Sequence, residues 1–235
     1  MESFIAFDIE TTGISPVDNK ITEIGAVKVV KGRVVDKYSQ LINPQVSIPS
    51  NIVKLTGITD ELVKEKPIID SVLPEFIRFS EDYPILGHNI KFDFSFIKAN
   101  ALKLNLTYEK EAIDTLSIAR VALKELPSRR LGCLCEYYNI EYLNGHRAFN
   151  DAYATYELYN LLKEQFYNEL EELFTPKPIL WKPKKQSPIT YKQKSYLSAL
   201  IKKHSVVLEK PVDELSKSEA SRAIDNIIKT YGRAR

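Results

Sequence analysis

The chain opens with Phe4-Ile5-Ala6-Phe7, an apolar run that carries straight into Asp8-Ile9-Glu10 and breaks at Thr11-Thr12-Gly13. Few folds tolerate this. The run reads as a buried strand, and a strand alternates its side chains with period two, so Asp8 and Glu10 leave the same face of one strand. Two carboxylates held side by side repel unless a positive charge lies between them. A hard divalent cation with oxygen ligands, Mg²⁺ or Mn²⁺, suits such a pair. Taken alone, the same residues also fit an exposed edge strand with two solvated acids.

The segments that follow limit the architecture. Ile21 to Val30 reads as a second strand, Lys31-Gly32 as a two-residue hairpin turn, and Arg33 to Ile42 as a third strand. Ile24-Gly25-Ala26 on the central strand, next to Glu23, are small residues where packing is expected to be tight. The pattern then switches. A helical turn at Asn51–Leu55 stops at Thr56-Gly57, an amphipathic helix covers Ile69 to Phe79, and a short strand covers Tyr83 to Gly87. Helices are expected at Phe92–Leu102 (with Phe94, Ile97 and Leu102 in the core), Leu116–Leu123, Leu131–Tyr138 and Arg147–Leu173. A further short strand is expected at Ala112–Thr115. A meander followed by alternating helices and strands implies an α/β domain with a mixed sheet flanked by helices.

Charge divides the chain. From Thr175 onward there are 14 Lys and Arg against 5 Asp and Glu, whereas residues 1–174 hold 19 against 26. Residues 175–189 are rich in proline and lysine and read as a linker. Residues 190–235 read as a small basic helical extension, with helices at Thr190–His204 and Ser216–Tyr231, the second starting near Ser218-Glu219. Ala199, Leu200, Ile224, Ile227 and Ile228 supply its apolar face. Lys182, Lys184, Lys185, Lys192, Lys194, Lys202 and Lys203 supply the charge of the tail, and Trp181 in the linker suits either stacking on a base or packing on the body of the first domain. The extension suits a nucleic-acid-holding module, a docking arm for a partner, or a solvated tail. No apolar run is long enough to span a membrane, and the start lacks the basic and apolar regions of a signal peptide. The two cysteines, Cys133 and Cys135, are too close in sequence for a good disulfide, and they read as small, partly buried hydrophobes in a reducing compartment. A cytoplasmic location is the expectation.

Two further acidic motifs follow. Asp93 comes after Gly87-His88-Asn89-Ile90-Lys91-Phe92, between two phenylalanines at the first turn of a helix, where a negative charge is favoured. Gly145-His146-Arg147-Ala148-Phe149-Asn150-Asp151 places a histidine five residues before an acid. On one continuous helix these would stand about 140° apart. They can face one centre if His146 lies in the loop and Asp151 in the helix it leads into.

In this order and spacing, Asp8-x-Glu10-Thr11-Thr12-Gly13, then His88-Asn89 with Asp93, then His146-x-x-x-x-Asp151 resembles the DEDDh branch of the DnaQ-like 3′→5′ exonucleases. That family includes the epsilon subunit of DNA polymerase III and the exonuclease domain of PolC-type polymerases. The resemblance runs over roughly residues 3–173, with no departure at the five signature positions. It implies an RNase H-like fold and two-metal phosphodiester hydrolysis at the 3′ ends of DNA, releasing nucleoside 5′-monophosphates in proofreading or repair. Carried over, Asp8 bridges both ions, Glu10 and Asp151 complete the first metal site, and Asp93 serves the second. His146 takes the proton from the attacking water, a task suited to an imidazole, which titrates near neutral pH. Substrate contacts are implied at Thr11, Thr12, Gly13, Thr56, Ile58, His88, Asn89 and Phe92. Core packing is the alternative for Ile58 and Phe92, and a structural hydrogen bond is the alternative for His88. The expected partners are single-stranded or frayed DNA 3′ ends and a DNA polymerase. Alternatives are an exoribonuclease or oligoribonuclease on RNA, and a catalytically silent nucleic-acid-binding module.

Overall fold

A computed structural model describes residues 3–142, 145–183, 187–208 and 210–233. Lys184 and Lys185, expected to contribute to the basic tail, lie outside the described residues. The chain forms two compact units, residues 1–182 and 183–235.

The first unit is built on a six-stranded sheet of order β3-β2-β1-β4-β5-β6. β1 (Phe4–Thr11), β2 (Ile21–Val30) and β3 (Arg33–Leu41) form an antiparallel meander. The β2–β3 turn needs a left-handed conformation at both central residues, and Lys31 and Gly32 adopt it with φ of 51° and 75°. α1 (Ser50–Thr56) ends at Gly57, whose φ of 71° provides the left-handed cap. After α2 (Asp60–Val63) and α3 (Ile69–Ser80), β4 (Ile85–Gly87) returns parallel to β1. α4 (Lys91–Lys103) leads to β5 (Glu111–Asp114), parallel to β4. α5 (Thr115–Ala122), α6 (Leu131–Tyr138) and α7 (Ala148–Leu170) follow. The expected mixed sheet flanked by helices is therefore found.

Strand alternation produces two cores. Ile5, Phe7 and Ile9 face one side and pack with Val72, Leu73 and Phe76 of α3 and with Phe94 and Ile97 of α4. Phe4, Ala6, Val27 and Val29 face the other and pack with Ile118 of α5, Leu134 of α6 and Leu158 and Leu162 of α7. At about 25 cal/mol per Å² of apolar surface, these two layers are the main source of stability. Leu102, expected in the core, is 45% exposed. The buried stripe of α4 runs through Phe94, Ile97 and Ala101, and the next residue lies about 100° further round the helix.

The expected linker begins later than its composition implies. β6 (Lys177–Pro178) pairs antiparallel with Glu111 and Ala112, and Ile179 and Trp181 pack on the core beneath α3 and α4. Pro178 is tolerated because this is a sheet edge. The second unit pairs α8 (Tyr191–His204) with α9 (Lys217–Tyr231) around Leu197, Leu200, Leu215, Ala220 and Ile227. Leu197 takes the buried position expected of Ala199, which is exposed. Both helices start in capping boxes, Thr190 with Gln193 and Ser216 with Glu219, so the second cap is Ser216 rather than Ser218.

Candidate active site

β1 runs out of the apolar core at Asp8, and Asp8 and Glu10 project from its end on the face covered by α7. Directly across the β1–β2 ladder, Asp8 is paired with Gly25 and Glu10 with Glu23. Two glutamates paired across strands are unfavourable unless one is neutralised. Glu23 is 1% exposed and is neutralised by Arg147, with Nε donating to Oε2 at 3.1 Å and a terminal nitrogen donating to Oε1 at 2.8 Å. Its Oε2 also accepts from the Ala148 amide at 3.1 Å, one of the free N–H groups at the start of α7. One buried carboxylate thus fixes the entry of α7 over the sheet. Gly25 permits the approach, because a Cβ there would lie 2.0 Å from the Phe149 nitrogen.

α7 brings in Asp151 one turn from its start. Asp151 Oδ1 accepts from the Tyr142 hydroxyl at 2.7 Å and from the His146 amide at 3.3 Å. His146 is exposed, in the loop before α7, with a φ of 65°. The five-residue spacing that a single helix could not reconcile is resolved by that left-handed turn. One ligand atom each from Glu10, His146 and Asp151 lie within 4.8 Å of one another. Asp93 arrives from the opposite side on α4, buried, with Oδ1 accepting from the Ile9 amide at 3.2 Å between the two acids of β1.

This arrangement is electrostatically unsatisfied as protein alone. Burial, then the charges of Asp93, Asp151, Glu10 and Glu23, push the Asp8 carboxyl well above its usual range. Glu10 is pushed up to about 8 by burial, then by Asp151, Glu23 and Asp93. Burial also raises Asp93 and Asp151, the latter held back by the Tyr142 hydrogen bond and by His146. Converging acids that can ionise together only around added positive charge, with an imidazole beside them, fit hard divalent cations.

The other expected contact residues divide into two groups. His88 and Asn89 line the cavity that contains Asp8, His146 and Asp151. Both ring nitrogens of His88 are engaged, Nδ1 with the Thr115 hydroxyl at 2.9 Å and Nε2 with the Arg129 carbonyl at 2.8 Å, which is the structural alternative. Thr11 and Thr12 are buried in the turn after β1, the first donating to the Gly13 carbonyl at 2.6 Å and the second accepting from the Lys20 amide at 3.0 Å. Thr56 and Ile58 do not line the cavity. Ile58 is fully buried with Ile48 and Val63, Thr56 accepts from the Ile58 amide, and it is Leu55, 52% exposed, that reaches the cavity. Phe92 is half-buried against the core, its ring tilted by 50° to that of Phe96 at 5.0 Å between centroids. Cys135 is buried as expected, but Cys133 is exposed on the cavity wall, because residues two apart on a helix point in nearly opposite directions. Sequence reasoning missed Tyr142, Glu23 as the cap of α7, and Arg120, Arg129 and Arg130 on the same cavity wall. No motif signals the first two, whereas Arg129-Arg130 was visible as a basic pair.

Fold and carboxylate cluster together define an RNase H-like nuclease. The chain belongs to the RNase T family of exonucleases, whose sequence profile matches residues 5–159. A DNA polymerase III PolC-type of Caldanaerobacter subterraneus subsp. tengcongensis is 43% identical over 162 residues, 69% of this chain but 12% of that protein. In structure the chain is similar to Escherichia coli exonuclease I in complex with a dT13 oligonucleotide, with a TM-score of 0.66 at 22% identity over 74% of this chain and 44% of that one. It is also similar to exonuclease X in complex with 5′ overhanging duplex DNA, with a TM-score of 0.55 at 25% identity over 68% of this chain and 90% of that one. Divalent metals are the cofactors of the exonuclease family, and the cluster of Glu10, His146 and Asp151 suits them. Among the described residues no helix is long and apolar enough to cross a membrane.

Proposed function

We propose that this chain is a metal-dependent 3′→5′ exonuclease that removes nucleoside 5′-monophosphates from single-stranded or frayed DNA ends in the cytoplasm, in proofreading or repair. The convergence of Asp8, Glu10, Asp93, Asp151 and His146 at one end of the sheet carries this reading. Its DNA preference is supported by the PolC-type relative and by the DNA-bound structural neighbours.

Asp8, Glu10, Asp93 and Asp151 would hold two divalent ions, Mg²⁺ or Mn²⁺. When bound, the ions neutralise the cluster and stabilise the charge that develops on the phosphoryl oxygens. Asp8, which feels the charges of Asp93, Asp151 and Glu10, would help hold both ions, with Glu10 and Asp151 on the side nearest His146 and Asp93 on the other. His146 accepts the proton of the attacking water, because it is exposed beside Glu10 and Asp151 in the loop before α7. Tyr142 and the His146 amide fix one Asp151 oxygen and so leave the other to face the cluster. The 183–235 unit is proposed to hold nucleic acid through the lysines of α8, with a polymerase or other partner as its alternative ligand.

The test uses single-stranded DNA, 3′-recessed DNA and matched RNA, each labelled at the 5′ end, with Mg²⁺, Mn²⁺ or EDTA. A metal-dependent ladder that shortens from the 3′ end of DNA is expected. Faster shortening of RNA would transfer the reading to an exoribonuclease, and shortening from the 5′ end, or none, would refute it.

A further inference from the structure

The cavity that contains the carboxylates has a basic wall. α5 contributes Arg120, and the segment entering α6 contributes Arg129 and Arg130. All three line the same cavity, of about 880 Å³, as Asp8 and Asp151. Arg120 and Arg130 are exposed, and among the described residues neither forms an ion pair. Arg129 is held from behind: a terminal nitrogen donates to the Lys124 carbonyl, and its own carbonyl accepts from His88. Its Nε is nevertheless buried without an acceptor. A buried donor left unmade is costly, and a planar guanidinium matches the oxygens of a phosphate. Asp8, Asp151 and Glu136 are the acids that line the cavity with them, so the arginines match the negative charge of the lining and would leave a positive surplus once cations neutralise Asp8 and Asp151.

We propose that Arg120, Arg129 and Arg130 form a phosphate site distinct from the carboxylate centre, which grips the sugar-phosphate backbone of a single strand upstream of its 3′ end. The proposal deepens the exonuclease reading and rests on it for the direction of the strand. A polynucleotide repeats its phosphate at every step, so an enzyme that takes the terminal linkage among acids needs a second, cationic hold on the linkages behind it. The cavity exceeds what one nucleotide fills, at the upper end of the roughly 300–1,000 Å³ typical of small-ligand pockets. Arg129, half-buried and anchored, sets the geometry, and Arg120 and Arg130 supply exposed charge on either side.

The experiment compares the full chain with its R120A/R130A and R120K/R130K variants. Fluorescence anisotropy of labelled dT12 is measured with Ca²⁺ over a range of salt, and 3′ shortening of dT12 and dT3 is measured with Mg²⁺. For the alanine variant a Kd for dT12 about 10–100-fold weaker is expected. The slope of log K against log salt should fall by about 1.4, at roughly 0.7 per lost phosphate contact on single strands. Its advantage for dT12 over dT3 should shrink, and the lysine variant should recover the salt slope and part of the affinity. Wild-type affinity and salt slope in the alanine variant would overturn the proposal. If the wild type binds dT12 through these arginines but shortens nothing, the exonuclease reading falls and the phosphate site stands. If it binds no strand at all, both fall.

Discussion

Replacing Gly25 with alanine should damage the active centre without touching any acid in it. The new Cβ would stand 2.0 Å from the Phe149 nitrogen, 2.2 Å from the Ala148 carbonyl carbon and 2.4 Å from the Phe149 Cα. These are main-chain atoms of the first turn of α7, so no rotamer change relieves the clash. β2 and α7 must part by about 1 Å before the closest contact reaches even 3.0 Å. The Glu23–Ala148 hydrogen bond, already 3.1 Å, then breaks, and Asp151 moves with its helix away from Glu10. Overpacking costs about 1–3 kcal/mol, and a lost hydrogen bond to a charged group adds about 1.5–3 kcal/mol. A 1 Å misplacement of catalytic groups costs about 10²-fold in rate. Urea unfolding and kcat/KM on a 5′-labelled DNA strand measure the two effects. Gly13→Ala is the comparison for stability alone, because the nearest atoms to its Cβ belong to the Asn19 side chain rather than to main chain, and moving that side chain gives up its bond from the Ser15 amide, so a smaller loss of stability is expected. A Gly25→Ala protein within 0.5 kcal/mol and about twofold of wild type would refute the account of how α7 is seated.

Other consequences concern charge. Because Glu10 is raised from 4.5 to about 8, the folded protein holds its proton more tightly than the unfolded chain does. The associated stability is complete below 4.5 and is lost as pH rises towards about 8, so in EDTA the Tm should fall across that window and Mg²⁺ should flatten the fall; a Tm in EDTA that stays level or rises would contradict it. Asp8→Asn should abolish DNA cleavage yet raise the Tm in EDTA at pH 8 by several degrees, since it removes a buried carboxylate repelled by four others; retained cleavage or a lower Tm would count against the site. Glu23→Gln, which leaves Arg147 without its buried counter-ion, should lower stability by about 2–4 kcal/mol in urea unfolding, and an unaltered midpoint would show that Arg147 contributes little. A protein ending at Lys182 should still shorten DNA but bind it more weakly and with a smaller salt slope; identical binding at low and high salt would remove the nucleic-acid role of the second unit.

Much of this was legible in the chain because it rests on local rules. The alternation that puts Asp8 and Glu10 on one face, the Lys31-Gly32 turn, the glycine stop after Thr56 and helix α6 each follow from a few neighbouring residues. Tight packing at Gly25 was also legible, though not what it packs against. What was not legible depended on distant partners. β6 exists because Glu111 and Ala112 offer a free edge, not because Lys177-Pro178 favours a strand. For Ile58 a substrate contact and core packing were both open, and a small core with Ile48 and Val63 takes it while Leu55 stands at the cavity. Tyr142 meets Asp151 across nine residues of sequence, and nothing in its neighbours marks it.

The seating of α7 also has a bearing on biosynthesis. β1, carrying Asp8 and Glu10, leaves the ribosome more than 140 residues ahead of Asp151, which lies on the helix that Glu23 and Gly25 receive. Until that helix docks, a nascent chain has three acids of the cluster, Asp8, Glu10 and Asp93, without Asp151 or a seated His146 beside them. A ribosome stalled anywhere before residue 151 therefore displays a fragment whose acid cluster is incomplete, and the whole cluster assembles only late in the synthesis of the domain.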